Sequence, residues 1–303
     1  MLLNECLDGL RIKPDGVYID GTLGRGGHAL EIVKKLRNGR LIAIDRDADA
    51  LTEAEERLSG YEDRITYVHD NFKNITSILD SAEFTAVDGM LFDLGVSSPQ
   101  LDDPERGFSY MHNAPLDMRM DRRDALTAFD VVNKWPENDL MRIFREFGEE
   151  RYSRSIARAI VRKREIAPIT CTYELNDIIV SALPATARHA ESHPSKRCFQ
   201  AIRIAVNDEL RAIADMLSAA PDKLNPGGRI CVICFHSLES QLVKSAFSSR
   251  VNGCRCPREL PVCVCGFVPT LRIITKKAIR ASALEIESNS RAKSASLRIA
   301  ERL

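Results

Sequence analysis

Val17-Tyr18-Ile19-Asp20, then Gly21-Thr22-Leu23-Gly24-Arg25-Gly26-Gly27-His28, then a helical pattern and Leu41-Ile42-Ala43-Ile44-Asp45 decide how this chain folds. The first apolar run is short and β-branched, as a buried parallel strand requires. Four glycines follow within seven positions. They let the backbone turn sharply and approach a ligand with no side chain in the way. Leu30, Ile32, Val33 and Leu36 form an apolar helical stripe, and Asn38-Gly39 stops it. The second strand ends in Asp45, about 20 residues beyond the glycines, where a carboxylate can take both hydroxyls of a ribose. Strand, loop, helix, strand and acid in this order make a β-α-β nucleoside site. A P-loop is excluded because no Gly-Lys-Ser/Thr follows the glycines. Gly24-Arg25-Gly26-Gly27-His28-Ala29 formally satisfies G-x-G-x-x-A, so a dinucleotide stays open. Asp20, placed to meet the ammonium of a methionine moiety, and the imidazole of His28 favour S-adenosylmethionine.

The 303 residues suffice for one large domain or a domain with a sizeable insert. Hydrophobic content of 44% is that of a globular protein, and no tract is long enough to span a membrane. Asn4 and Glu5 follow Leu2 and Leu3 at once, which is not a signal-peptide core, so the expected location is the cytoplasm. There the nine cysteines stay reduced. Formal net charge is zero, so any nucleic-acid surface must come from local segregation of charge.

Ile65–Val68 reads as a third strand running into His69-Asp70-Asn71-Phe72. Carboxyl ends of parallel strands line the ligand crevice. Asp70 is therefore placed to accept from an adenine amino group and Phe72 to cover its ring, although core packing explains Phe72 equally well. Val87–Asp93 is a fourth strand, and Leu94-Gly95-Val96-Ser97-Ser98-Pro99-Gln100 after it puts hydrogen-bonding groups where a reacting base would sit. Strand–helix alternation then stops. Helical patterns at 125–133, 137–147, 152–164 and 173–182 mark an inserted domain. The expected division is a nucleoside-binding sheet over 1–103 and 199–303 with a helical insert over 104–198. Arg151, Arg154, Arg158 and Arg162 recur at spacings of three and four on one helix face. Such a stripe is ordinarily a solvated surface. Beside a nucleoside site it is also a candidate phosphate-contacting strip. A later strand, Arg229–Phe235, ends at His236, which either faces the site or bonds backbone. Leu271–Thr275 and Ser296–Ala300 suit the last two strands.

Cys254-x-Cys256 and Cys263-x-Cys265 invite a zinc reading, but structural zinc sites favour two to four intervening residues, so no metal is expected there. His189 and His193 lack the acid of H-E-x-x-H, and metal is not expected there either.

Asp20-Gly-Thr-Leu-Gly-Arg-Gly-Gly-His28, Asp45-Arg46-Asp47, Phe92-Asp93-Leu-Gly-Val-Ser-Ser-Pro-Gln100, Pro115-Leu-Asp-Met-Arg-Met-Asp121 and Phe235-His-Ser-Leu-Glu239 together resemble one family. It is that of the bacterial small-subunit ribosomal RNA methyltransferases acting on cytosine N4, the MraW or RsmH family. Phe147-Gly-Glu-Glu150, Phe199-Gln-Ala-Ile-Arg-Ile204 and Asn289-Ser-Arg-Ala-Lys-Ser294 extend the likeness over nearly the whole chain. The paired cysteines resemble the family too. Its members usually carry several residues, including a histidine, ahead of the position of Met1. The resemblance implies an α/β, class I (Rossmann-like) S-adenosylmethionine-dependent methyltransferase sheet with an inserted RNA-recognition domain. It implies cofactor contacts from Gly26, Gly27, His28, Asp45, Phe72, Asp93 and Gln100. The implied partner is 16S ribosomal RNA within the small subunit, with the target cytosine in the decoding region. A homodimer is compatible with the sequence.

Cytosine N4 is a poor nucleophile because its lone pair is delocalised into the ring. Acceptors around its two hydrogens can pyramidalise it and take a proton. Asp93, the carbonyls of Leu94 to Val96, and His236 are the expected groups, with Asp93 and His236 as catalytic candidates. No Pro-Cys element follows the fourth strand, which disfavours C5 methylation through a thiolate. Two other readings remain at this level. One is a nicotinamide-dependent dehydrogenase on the same loop, and the other is a non-catalytic RNA-binding protein.

Overall fold

The computed structural model describes residues 1–188, 193–254, 256–257 and 264–303. His189 and Cys263 therefore lie outside the described residues. The chain divides into two compact units, Met1–Gly95 with Leu210–Leu303, and Val96–Glu209.

The first unit is built on an eight-stranded sheet. Its strands are β1 (Val17–Asp20), β2 (Arg40–Asp45), β3 (Ile65–His69), β4 (Val87–Asp93), β5 (Leu224–Cys234), β6 (Leu271–Ile273), β7 (Ile279–Arg280) and β8 (Ser296–Arg302). The order is β3-β2-β1-β4-β5-β8-β6, with β7 paired to β8. Strands β1 to β5 run parallel, and β8 runs antiparallel between β5 and β6. This is the Rossmann-like methyltransferase sheet expected from the sequence. Side chains alternate across it, as the two-residue strand period demands. Ile42 and Ile44 face one layer, with Ile19, Met90, Phe92 and Val232. Leu41 and Ala43 face the other, with Tyr18, Leu91 and Ile233. Helices α1 (Leu3–Leu10), α2 (Gly27–Val33) and α3 (Ala48–Arg57) cover the second face through Leu10, Ile32, Val33 and Leu51. The first face is covered by α4 (Ile75–Ser81) and by helices from the later half of the chain, through Ile75, Leu79, Met216 and Phe247. Both faces are thus buried, which explains the near-continuous apolar runs of β2 and β4.

Helix α2 is shorter than its stripe suggested. It closes at Val33 because Lys35 and Leu36 donate backward to Ile32 and Val33 in a tightened turn, which still buries Leu36.

In the second unit α5 (Ser98–Asp102), α6 (Ala128–Lys134), α7 (Glu137–Glu146), α8 (Ser153–Arg164), α9 (Thr172–Ser181), α10 (Ala185–Arg188) and α11 (Ser195–Asn207) follow in order. Val131, Leu140, Phe144, Ile156, Ile160, Leu175, Ile179, Phe199 and Ile202 form its core. The insert expected over 104–198 lies inside this unit, whose later boundary falls beyond α11. That helix stays with the insert because Phe199 and Ile202 pack into the helical core. The Pro115–Met120 loop is pinned to the end of α11. Asn207 accepts from the Met120 amide at 2.7 Å and donates to the Met118 carbonyl at 2.7 Å. Three further helices belong to the later half: α12 (Glu209–Ala219), α13 (Ser237–Val251) and α14 (Ala283–Ser288). Among the described residues, no helix is long and apolar enough to cross a membrane.

Candidate active site

Parallel registry fixes the site. Asp20 ends β1, Asp45 ends β2 opposite His69, and Asp93 ends β4 opposite Ile233. Three carboxylates therefore stand at the same end of the sheet, and β5 runs out at that end into Phe235 and His236. The strand order reverses between β1 and β4, the place where open α/β sheets bind ligands.

The glycine loop connects β1 to α2. Gly26 caps the helix at φ 70°, a left-handed conformation that glycine adopts without steric cost. A Cβ built on Gly27 would meet nothing within 4 Å, so this stretch of backbone is open to a ligand. Asp45 holds the loop in place. One of its oxygens accepts from the Gly24 amide at 2.7 Å, the other from the Asp47 amide at 2.9 Å. The Arg46 amide also hydrogen-bonds this carboxylate, so of its roughly four lone-pair sites about one stays open to a ribose hydroxyl. Burial raises the Asp45 carboxyl above its ordinary range despite these amides.

Asp20 is buried, and one oxygen accepts from the Thr22 amide at 3.2 Å. Its other oxygen has no hydrogen-bond partner. Asp93 likewise keeps a buried oxygen without a partner. Burial pushes both acids up to about 7. For Asp20 the nearby charges of Asp93 and Asp45 add to it, and for Asp93 those of Glu239 and Glu285. Unpartnered buried carboxylates are costly, and a cluster of them at a strand-order reversal marks a binding site for hydrogen-bond donors or cations.

His28 is buried rather than displayed in the loop. Its Nε2 lies 2.9 Å from the Met1 carbonyl oxygen and its Nδ1 4.0 Å from Asp93. Burial lowers its pKa to about 4, so the imidazole is neutral near pH 7 and adds no positive charge beside Asp93. Phe72 is half-buried and packs edge-on against Phe92, ring centroids 5.8 Å apart. Asp70 spends one oxygen on the Asn71 amide and the Asn74 side chain, at 2.7 and 2.8 Å.

His236 sits just before α13, its Nε2 3.2 Å from the buried Glu239 carboxylate. The other Glu239 oxygen accepts from the amides of Phe235 and His236, at 2.7 and 3.2 Å. Two positioning contacts were not read from the sequence. One is this return of Glu239 to the strand end, which its place three residues into the helix signals. The other is Thr22, whose hydroxyl accepts from the Asp93 amide at 2.6 Å and ties the glycine loop to β4. Nothing in the spacing of residues 22 and 93 announces that contact.

Gln100 and the arginine stripe belong to the second unit. Gln100 is buried and closes a capping box on α5, its side chain accepting from the Ser97 amide at 3.0 Å. Arg151 precedes α8 rather than lying on it, because Glu150 accepts from the Tyr152 amide and helical bonding starts at Ser153. Arg151, Arg154, Arg158 and Arg162 are all exposed, while Ile156, Ala157 and Ile160 turn inward. Arg158 pairs with Glu137 at 3.8 Å. Arg164 differs in kind. It donates to the carbonyls of Val132 and Trp135 at 2.7 and 2.6 Å, and so joins α8 to the end of α6.

The sheet order, the open glycine loop and the acids ending β1, β2 and β4 define a class I, Rossmann-like methyltransferase. The family model of the MraW methylase family matches residues 1–303, and the chain belongs to that family. It is 54% identical over 303 residues to a Carboxydothermus hydrogenoformans protein, covering 100% of this chain and 97% of the relative. It is 51% identical over 304 residues to a Clostridioides difficile protein, covering 100% of this chain and 98% of that relative. Both relatives are named ribosomal RNA small subunit methyltransferase H.

Proposed function

We propose that this chain is an S-adenosylmethionine-dependent ribosomal RNA methyltransferase that methylates the exocyclic N4 amine of a cytosine in the decoding region of 16S RNA. The observation that carries the reading is the pair of buried, unpartnered carboxylate oxygens on Asp20 and Asp93 at the reversal of strand order. S-adenosylmethionine supplies a methyl group on a positively charged sulfur, together with an ammonium and a ribose diol. Asp45 accepts from the diol at the position that the Gly24, Arg46 and Asp47 amides leave open. Asp20 takes the ammonium, which relieves the cost of its buried oxygen. Gly26 and Gly27 admit the nucleoside by having no side chain, and Phe72 borders the adenine. The neutral His28 leaves the negative potential of the acids intact.

Asp93 performs the acceptor chemistry. Its unpartnered oxygen accepts from the amine, draws the nitrogen out of conjugation and takes a proton. A carboxyl held near 7 suits that exchange at neutral pH. The pair His236–Glu239 provides a second acceptor beside it. Alignment accounts for most of the remaining acceleration. The cytosine must leave its stack to arrive, at a cost of a few kcal/mol. The exposed arginines Arg151, Arg154, Arg158 and Arg162 contact RNA phosphates, which offsets part of that cost. Gln100 acts by fixing the loop after β4.

The test is to incubate the protein with small ribosomal subunits and labelled S-adenosylmethionine, then digest the RNA to nucleosides. N4-methylcytidine at a single decoding-region position is expected. A methyl group on a ring carbon or ribose oxygen, or no transfer by a chain that binds S-adenosylhomocysteine, would overturn the reading.

A further inference from the structure

The loop between α13 and β6 gathers three thiols. The Sγ atoms of Cys254, Cys256 and Cys265 all lie within 4.8 Å of one another. The single residue between the first two argued against a metal from sequence alone. The fold overrides that spacing by bringing Cys265 beside Cys254.

Their separation has chemical content. The Cys254 and Cys265 sulfurs are 3.7 Å apart. A disulfide requires about 2.05 Å. Two thiolates on one tetrahedral zinc, each at about 2.3 Å from the metal, stand about 3.8 Å apart. The Val264 amide donates to the Cys256 sulfur at 3.3 Å, an outer hydrogen bond of the kind that orients a ligating atom. The base of the loop is fastened independently. Thr270 donates to the Arg250 carbonyl at 3.0 Å, and the Phe267 ring presses on Gly253.

We infer that Cys254, Cys256 and Cys265 bind one zinc ion in a structural site that clips this loop. The site is remote from the chemistry. Helix α13 starts at the carboxyl end of β5 and has 15 residues. At about 1.5 Å per residue it carries the cysteines about 22 Å along its axis from His236. The ion therefore takes no part in methyl transfer, and its removal loosens the loop without releasing the methyl donor.

The experiment uses the full chain, purified under reducing conditions without chelator and analysed for zinc by elemental mass spectrometry. About one zinc per chain is expected. Cys254→Ser and Cys265→Ser should each lower it at least tenfold, Cys171→Ser should leave it unchanged, and all three should keep wild-type affinity for S-adenosylhomocysteine. In the wild-type chain, cobalt(II) should replace zinc and show thiolate-to-cobalt charge-transfer absorption, a readout that does not depend on any variant folding. The inference is overturned if wild-type protein neither retains nor takes up zinc and gives no such band. It is equally overturned if zinc content ignores both substitutions, or if peptide mapping finds Cys254 and Cys265 joined as a disulfide.

Discussion

The two units place charge in opposite ways. The sheet unit hides its acids: Asp20 is 1% exposed, and Asp93 keeps a carboxylate oxygen out of contact with water and with any donor. The helical unit displays its bases, with the four stripe arginines on the surface. Buried charge is costly and therefore selects a ligand, whereas exposed charge costs little and adds affinity that salt can screen. Specific chemistry belongs to the first arrangement and broad attraction for a polyanion to the second.

The contrast breaks most readily at Asp93. Asp93→Asn keeps the shape and removes the proton acceptor, so the methyl-transfer rate should fall about 10²- to 10⁴-fold, with little change in affinity for S-adenosylhomocysteine, which lacks the sulfonium charge. Single-turnover transfer to small subunits, alongside calorimetry with S-adenosylhomocysteine, separates the two quantities. On the helical side, Arg154→Glu with Arg162→Glu should weaken RNA binding about tenfold or more. Each lost phosphate contact should also flatten the dependence of log K on log salt by about 0.7 to 0.9. Donor affinity should stay the same, and an unchanged salt slope would reduce the stripe to a solvated helix face.

Acidity sharpens the comparison further. Between pH of about 4 and 7 the native chain holds protons on Asp20 and Asp93 that the unfolded chain has given up. Stability of the ligand-free protein should thus decline as pH rises across that window and level off above it. A cationic donor favours the ionised acids, so S-adenosylmethionine affinity should climb from pH 6 to 8 by up to about tenfold, with proton release detectable in buffers of different ionisation heat. A flat profile would mean that neither acid meets the cation. The smallest effect belongs to packing. Asn207→Ala strands the Met120 amide and Met118 carbonyl in the core of the helical unit, at about 1–3 kcal/mol. Thermal unfolding should show that loss while S-adenosylhomocysteine binding persists.

Sequence legibility follows the same division. Strands β1 to β4 and the acids ending β1, β2 and β4 are readable because a buried parallel strand needs an unbroken apolar run and its carboxyl end is functional by topology. Strand β7 has two residues, too few for any period to register. Helix α11 is illegible from sequence because its apolar residues make sense only once α6, α7 and α9 lie around them. The arginine stripe was visible as a pattern, but local hydrogen bonding at Glu150 decided that Arg151 falls outside the helix. Contacts such as Thr22 with Asp93 join distant strand ends, and only assembly of the sheet reveals them.

The account stands on Asp45 holding the ribose of the methyl donor. Calorimetric titration of S-adenosylhomocysteine into wild-type chain and Asp45→Ala tests it directly, with circular dichroism confirming that the sheet is retained. We expect at least about tenfold weaker binding to the folded variant. Equal affinity in the two proteins would remove the acid from the ribose and contradict the proposed site.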